Sequence, residues 1–559
     1  MVRKLFYFLL TMVVLLVAAP SSAFAGDGVL ILCYHDVGTV KPNDYYAISK
    51  DNLAANLEYL KKNGYHPISL QQYIDANSKG TSLPPKPVLL TFDDGYVSFY
   101  NNVFPMLKKY NYPAVLAVVT NWEIGYKPPD VGKLVNWQQM REMEASGLVN
   151  VVSHTHNLHH STTVNSYRDR GEAGSNFEYG NGASESLEQY KARIDSDCAE
   201  TQAIFERELG HKALALVWPY GEYTTIGMNI AKTHGFKALF TLGGGLNVPG
   251  EKGLFEARRG IILSNPDTKK FAKLVKKDGA NDPPLRAVWV NIDGLYNGGS
   301  IRQTDANVKA IISRLQTSGI NTVFLQAFST SKTDGSLDGV YFSTAAAPVK
   351  VDIYDHIARL FKAQSIDVYA WMPTNPATVL SKGSNSRALY SDLAAYSYLD
   401  GVIFQDDLPL KENKDFIKPK ALTDQTVEMA KVVLEYKPYA KFVRSIYPEA
   451  VKASVQDYNR FLKTYDYTLI LAYPYRERRE PRTLEWTQEL AKAAFQSPGA
   501  ANKLIFTIQS FDYKKNQWLD DAVIKNYMKA CHDKGALYFA FYPDTMFTEK
   551  GGLQPKDDE

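Results

Sequence analysis

The stretch Pro87-Val88-Leu89-Leu90-Thr91-Phe92-Asp93-Asp94-Gly95 decides how the first half of the chain is read. Residues 87–92 form an apolar run of strand length that stops abruptly on two carboxylates and a glycine. A short run that is apolar on both faces suits a parallel strand covered by helices. The same kind of run recurs at residues 29–34, 114–120, 150–153, 213–218 and 237–242. Helical patterns lie between these runs, at 53–62, 97–110 and 187–209. Such alternation predicts parallel strands joined by crossover helices.

A polar, Gly- and Pro-bearing break at residues 276–284 reads as a linker, which divides the chain into 26–278 and 279–559. Beyond it the alternation is cleaner. Strands are predicted at 287–292, 322–328, 367–372, 401–405, 442–446, 467–472, 503–508 and 536–541. Helices fall between them, for example at 305–318, 353–363, 422–436 and 521–534. Eight β/α units in succession predict a (β/α)8 barrel, whose sites gather at the C-terminal strand ends. Those ends carry Asp293, Gln326, Trp371, Asp406, Asp407, Tyr473, Gln509 and Asp544.

Net charge is only +3 over 559 residues, which argues against a dedicated nucleic-acid binder. Aromatic residues make up 12%, with 36 Tyr and 7 Trp. This suits stacking on the apolar faces of sugar rings and equally suits aromatic packing. Three cysteines, far apart, imply no disulfide framework. At the N-terminus, Arg3 and Lys4 precede an uncharged apolar run and Ser22-Ala23-Phe24-Ala25. This is the pattern of a secretory signal peptide over residues 1–25, with an uncleaved anchor as the alternative. It predicts a periplasmic or secreted protein.

Four motifs carry chemistry. Adjacent carboxylates at a strand end point in different directions, so one of Asp93 and Asp94 can hold a metal while the other acts as base. Taken alone the stretch is also an ordinary acidic turn. The second motif is Ser153-His154-Thr155-His156-Asn157-Leu158-His159-His160. Of the ten histidines in the chain, four fall in this window, a density that points to metal binding. An Asp-His-His set with an open fourth position is a catalytic arrangement. The third motif, Trp218-Pro219-Tyr220-Gly221, is a tight turn whose backbone N–H is a candidate oxyanion donor. The fourth is Tyr34-His35-Asp36, where His35 offers an imidazole suited to proton transfer.

In that order, TFDDG, the His-rich motif and the PYG turn resemble the polysaccharide deacetylases of carbohydrate esterase family 4. The YHDV start, the SHTHNLHH form and the attached barrel are similar, more narrowly, to the poly-β-1,6-N-acetyl-D-glucosamine N-deacetylases of biofilm export. The likeness continues through Trp289–Asp293, Leu325–Phe328, Tyr369–Pro373, Phe404–Asp407 and Tyr542–Asp544. It implies a distorted (β/α) deacetylase barrel followed by a (β/α)8 barrel. It implies Asp94, His154 and His159 as metal ligands, Asp93 as base, His35 as acid and the Tyr220 N–H as oxyanion donor. His156 and His160 are left to supporting roles. The metal is expected to be Zn, with Co, Ni or Fe as alternatives. The expected partners are the polysaccharide and outer-membrane export machinery, with no nucleic acid. Many members of the family place an arginine two residues before the Pro of the PY turn, against the catalytic Asp; here that position is Val217, so a less well tuned base is expected.

In the second half, the resemblance implies a barrel that binds the partly deacetylated polymer and in some relatives cleaves it. Asp406 or Asp407 would be the catalytic carboxylate, and Asp293, Trp371, Tyr473, Tyr542 and Asp544 would contact substrate. Glycoside hydrolysis needs a second carboxyl group, and the sequence does not choose between Asp293 and Asp544. The alternatives are a chitin- or peptidoglycan-directed deacetylase and a non-catalytic glycan-binding export factor.

Overall fold

The computed structural model describes residues 28–276, 283–296, 298–331, 333, 336–377, 379–405, 419–453, 455–474, 482–512 and 515–542. The expected signal peptide, and most of the expected linker, lie outside the described residues.

Seven parallel strands close the first unit. They are β1 (Val29–Tyr34), β2 (Pro87–Phe92), β3 (Ala114–Val118), β4 (Val149–Ser153), β5 (Ala215–Val217), β6 (Ala238–Leu242) and β7 (Ala257–Ile261). Each pairs with its successor in sequence, and β7 returns to β1. The narrowest seam joins β4 to β5 through the single register pair Leu216↔Ser153. The sequence predicted six of these strands. It missed β7 because Arg258 and Arg259 interrupt the apolar pattern by which the others were found.

The interior shows why the site lies where it does. Val29 and Ile31 of β1, Leu89 of β2, Val152 of β4 and Ala257 of β7 share one buried cluster with Leu70, Tyr73 and Ile74 of the helix Leu70–Lys79. Side chains on a strand alternate with a period of two. The next positions in these series are Cys33, Thr91, Asp93, His154 and Arg259, all buried. The same inward face therefore changes from apolar to polar toward the C-terminal strand ends.

The second unit holds a closed barrel of eight parallel strands: β8 (Arg286–Val290), β9 (Thr322–Gln326), β10 (Asp367–Pro373), β11 (Gly401–Gln405), β12 (Lys441–Ile446), β13 (Tyr467–Ala472), β14 (Leu504–Gln509) and β15 (Tyr538–Tyr542). All eight expected strands are there, shifted by at most two residues at their ends. The unit is discontinuous, since it also takes in His160–Ile194 and Tyr223–Asn229. Within it, the helix Tyr354–Lys362 carries a buried polar network. Arg359 Nε donates to both oxygens of Asp355 at 3.0 Å. Its Nη2 donates to Asn176 Oδ1 at 2.8 Å. His356 lies between Asp169 Oδ2 at 2.7 Å and Asp305 Oδ1 at 2.8 Å.

Candidate active site

The C-terminal ends of β1, β2, β4 and β5 deliver the candidate residues of the first unit, and β7 adds one. Asp93 follows β2, and its N–H donates to Tyr34 O at 2.9 Å, which holds the turn against β1. Its carboxylate is 3% exposed. Oδ1 accepts from Arg259 Nη1 at 2.7 Å, and Oδ2 accepts from the Cys33 thiol at 3.4 Å. Burial opposes the charge on Asp93, yet the Arg259 guanidinium, helped by His154, holds its carboxyl well below the usual carboxylate range.

Asp94 has φ 72° and Gly95 φ 71°, so the chain enters the left-handed region immediately after Asp93. That turn swings the second carboxylate away from the first. Asp94 Oδ1 lies 3.5 Å from His154 Nε2 and 3.3 Å from His159 Nε2. Among the described residues it is a buried oxygen without a well-formed hydrogen bond. Tetrahedral zinc with bonds of about 2.0–2.2 Å to N and O separates neighbouring ligand atoms by about 3.3–3.5 Å. The two distances fit that edge, and the three residues together fit a divalent metal.

The histidines are oriented for the task. His154 Nδ1 donates to Val217 O at 2.8 Å, which leaves Nε2 with its lone pair toward Asp94. Burial lowers the His154 pKa to about 4, so the ring is neutral at neutral pH. His159 is held by rings: Trp122 at 4.7 Å, Tyr220 at 4.8 Å and His154 at 4.9 Å. The loop between the two histidines hangs on Asp197, whose carboxylate accepts the N–H of His156 at 3.0 Å and of Asn157 at 2.6 Å. His156 itself points aside, with Nδ1 3.0 Å from Thr120 Oγ1.

His35 is half-buried beside Tyr46, ring centroids 5.0 Å apart, and its Nδ1 has no hydrogen-bond partner among the described residues. Tyr220 adopts φ 59° and ψ 3°, followed by Gly221 at φ 74°. A Cβ on Gly221 would meet Leu242 N at 2.7 Å, so both the backbone conformation and the space require glycine there. The Tyr220 side chain is exposed, with its hydroxyl 3.4 Å from His159 Nδ1.

Comparison with known proteins agrees with this geometry. Residues 80–239 match the polysaccharide deacetylase family, and residues 289–386 and 414–542 match hypothetical glycosyl hydrolase family 13. A poly-β-1,6-N-acetyl-D-glucosamine N-deacetylase of Escherichia coli (strain K12) is 29% identical over 93% of this chain and 90% of its own length. The chain belongs to the two-domain polysaccharide deacetylases. An enzyme of the same name from Staphylococcus epidermidis is 26% identical over 39% of this chain and 73% of its own. A solved de-N-acetylase from Aggregatibacter actinomycetemcomitans shares 34% identity over 44% of this chain and 96% of its own, with a TM-score of 0.39.

Two features of this deacetylase escaped the sequence reading. The arginine expected to be missing, with Val217 at the family's position, is supplied from elsewhere, because Arg259 of β7 contacts Asp93. Val217 serves instead through its carbonyl, on His154. Asp197 was missed because a lone acid on a helix carries no local signature. Arg259 did have a signal: an arginine within a strand-length stretch is expensive to bury without a partner.

In the eight-stranded barrel, Asp293 follows β8. Its Oδ1 accepts from the Tyr341 hydroxyl, and its Oδ2 lies 3.5 Å from Gln326 Nε2. Trp371, expected to contact substrate, is buried instead, in T-shaped contact with Trp289 at 4.8 Å and with Phe328 at 5.2 Å. Tyr473 and Tyr542 stack on each other at 6.0 Å. Asp406, Asp407 and Asp544 lie outside the described residues.

Proposed function

We propose that this protein removes acetyl groups from a β-1,6-linked N-acetylglucosamine polymer in the periplasm or outside the cell. The observation that carries the chemistry is Asp94 Oδ1 set 3.5 and 3.3 Å from two histidine Nε2 atoms. The polymer is suggested by the relatives' names and by motifs spread over both halves. When bound by Asp94, His154 and His159, a divalent metal supplies Lewis acidity toward water and the acetyl carbonyl. Zinc fits the donor set, as do Co, Ni and Fe.

The chain's own groups do the rest. Asp93 accepts a proton from the attacking water. Arg259 keeps Asp93 ionised and holds Oδ1, leaving Oδ2 to act. The Tyr220 N–H stabilises charge on the acetyl oxygen. His35 protonates the departing amine nitrogen, so that water and amide become acetate and a free amino sugar. The N-terminal pattern of Arg3, Lys4 and an apolar run supports export, and outer-membrane export machinery is the partner this location supports.

For the barrel we propose binding of the partly deacetylated chain. Asp293, Asp406, Asp407 and Asp544 offer carboxylates to free amines, and Tyr473 and Tyr542 supply the aromatic part of the surface, whereas Trp371 is buried in the packing. The match to a glycosyl hydrolase family favours cleavage as well, with Asp406 or Asp407 paired to a second acid.

The test is acetate release from defined β-1,6 and β-1,4 N-acetylglucosamine oligomers, before and after chelation and metal return. Activity confined to β-1,6 oligomers and restored by metal is expected. Full activity in verified metal-free protein would overturn the mechanism, and preference for β-1,4 oligomers would overturn the substrate.

A further inference from the structure

A second cluster of ligating atoms adds Cys33, which no step above uses, to Asp93 and His35. Cys33, His35 and Asp93 each bring one ligand atom to within 4.8 Å of the other two. From these positions we infer a second, inhibitory metal site selective for soft divalent cations such as zinc and cadmium. The inhibition rests on the proposed roles of Asp93 and His35, whereas the binding does not.

The geometry starts from the thiol. Cys33 Sγ stands 3.4 Å from Asp93 Oδ2. Tetrahedral zinc with Zn–S of about 2.3 Å and Zn–O of about 2.0–2.2 Å separates those two ligand atoms by about 3.5 Å. A cation can therefore replace the thiol proton with little movement of either side chain. His35 supplies the third ligand. It offers a ring nitrogen, and among the described residues its buried Nδ1 has no hydrogen-bond partner, so ligation through that atom breaks no bond seen there. Arg259 remains on Asp93 Oδ1, the oxygen this site does not need.

The charges set the strength. Thiolate and carboxylate together bring −2, and the Arg259 guanidinium offsets one of these. Burial pushes the Cys33 thiol up, so its proton stays until a soft cation displaces it into solvent. Binding is thus weaker than at Asp94, His154 and His159 and strengthens as pH rises. Hard oxygen-seeking cations gain little from a thiolate. Once filled, the site removes Oδ2 of the base and the imidazole of the acid together. Activity should therefore rise with the first equivalent of zinc and fall with the second.

The experiment titrates the full chain with Cd²⁺, following ultraviolet cadmium–thiolate charge transfer, and separately measures acetate release against Zn²⁺, Cd²⁺ and Mg²⁺. Two equivalents of Cd²⁺ should bind, and only the second should raise the thiolate band. In Cys33→Ser the band should vanish, and inhibition by excess Zn²⁺ should move to at least about tenfold higher concentration relative to that variant's own maximum. Cys198→Ser and Cys531→Ser should keep the band. Absence of a thiolate band in the wild-type chain, or a band that survives in Cys33→Ser, overturns the site. A Cys33-dependent band without inhibition leaves the site standing and overturns the roles given to Asp93 and His35. Equal inhibition by Mg²⁺ and Zn²⁺ in the wild-type chain overturns the selectivity even if Cys33→Ser fails to fold.

Discussion

The two barrels treat a carboxylate at a strand end in opposite ways. Asp93 is 3% exposed and clamped by an arginine and a thiol, whereas Asp293 is exposed and held by a tyrosine hydroxyl and a glutamine. The first pays for burial with a fixed countercharge, which holds the group ionised and aimed. The second keeps its charge in contact with water, which suits recognition of a cationic amine more than chemistry at a bond. On the proposed roles, the buried and partnered carboxylate is the one that reacts and the exposed one is the one that reads charge.

The sharpest way to break this contrast is Asp93→Asn. It should cut kcat/KM for acetate release by roughly 10²–10⁴, the usual worth of a positioned general base, with metal content retained. If metal content falls as far as in His154→Ala, the two adjacent carboxylates have been assigned in reverse.

Arg259→Met comes next. It leaves Asp93 buried without a countercharge, which should destabilise the fold by about 3–5 kcal/mol, read from denaturant midpoints. Because Arg259 holds the Asp93 pKa down, its removal raises that pKa. The acid limb of the activity profile should therefore move to higher pH, and Arg259→Lys should restore part of the shift. A variant with an unmoved acid limb would make Arg259 a purely structural contact.

On the exposed side, Asp293→Asn should weaken binding of partly deacetylated oligomers by about tenfold to a hundredfold, the worth of one charge-assisted hydrogen bond. Binding of fully acetylated oligomers of the same length should change little. Equal losses for both, measured by calorimetry, would show that Asp293 holds the loop and does not read charge.

The smallest effect concerns the network around His356. Burial lowers its pKa, but Asp169 and Asp305 outweigh burial and raise it above the ordinary histidine value. Its stabilisation is then fully present below the unfolded histidine pKa, about 6.5, and is lost as pH rises through the folded value. The slope can reach at most one proton, about 1.4 kcal/mol per pH unit. His356→Gln should flatten thermal stability against pH over that window; an unchanged slope would assign the titration to another group.

The sequence by itself determined the period and order of the strands, because alternation of apolar runs and helical patterns is a local property. It also placed Asp94, His154 and His159 in short motifs, since a turn and a loop after a strand keep such residues near in the chain. β7 stayed hidden because Arg258 and Arg259 erase the apolar signal there. Only closure of the seven-stranded barrel brings β7 beside β1, and that closure sets Arg259 against Asp93, 166 residues away in sequence. The same applies to Asp197, which meets the histidine loop across 40 and 41 residues. Such partners carry no mark in the chain. They are chosen by distance in the folded state, where a buried carboxylate must find a donor.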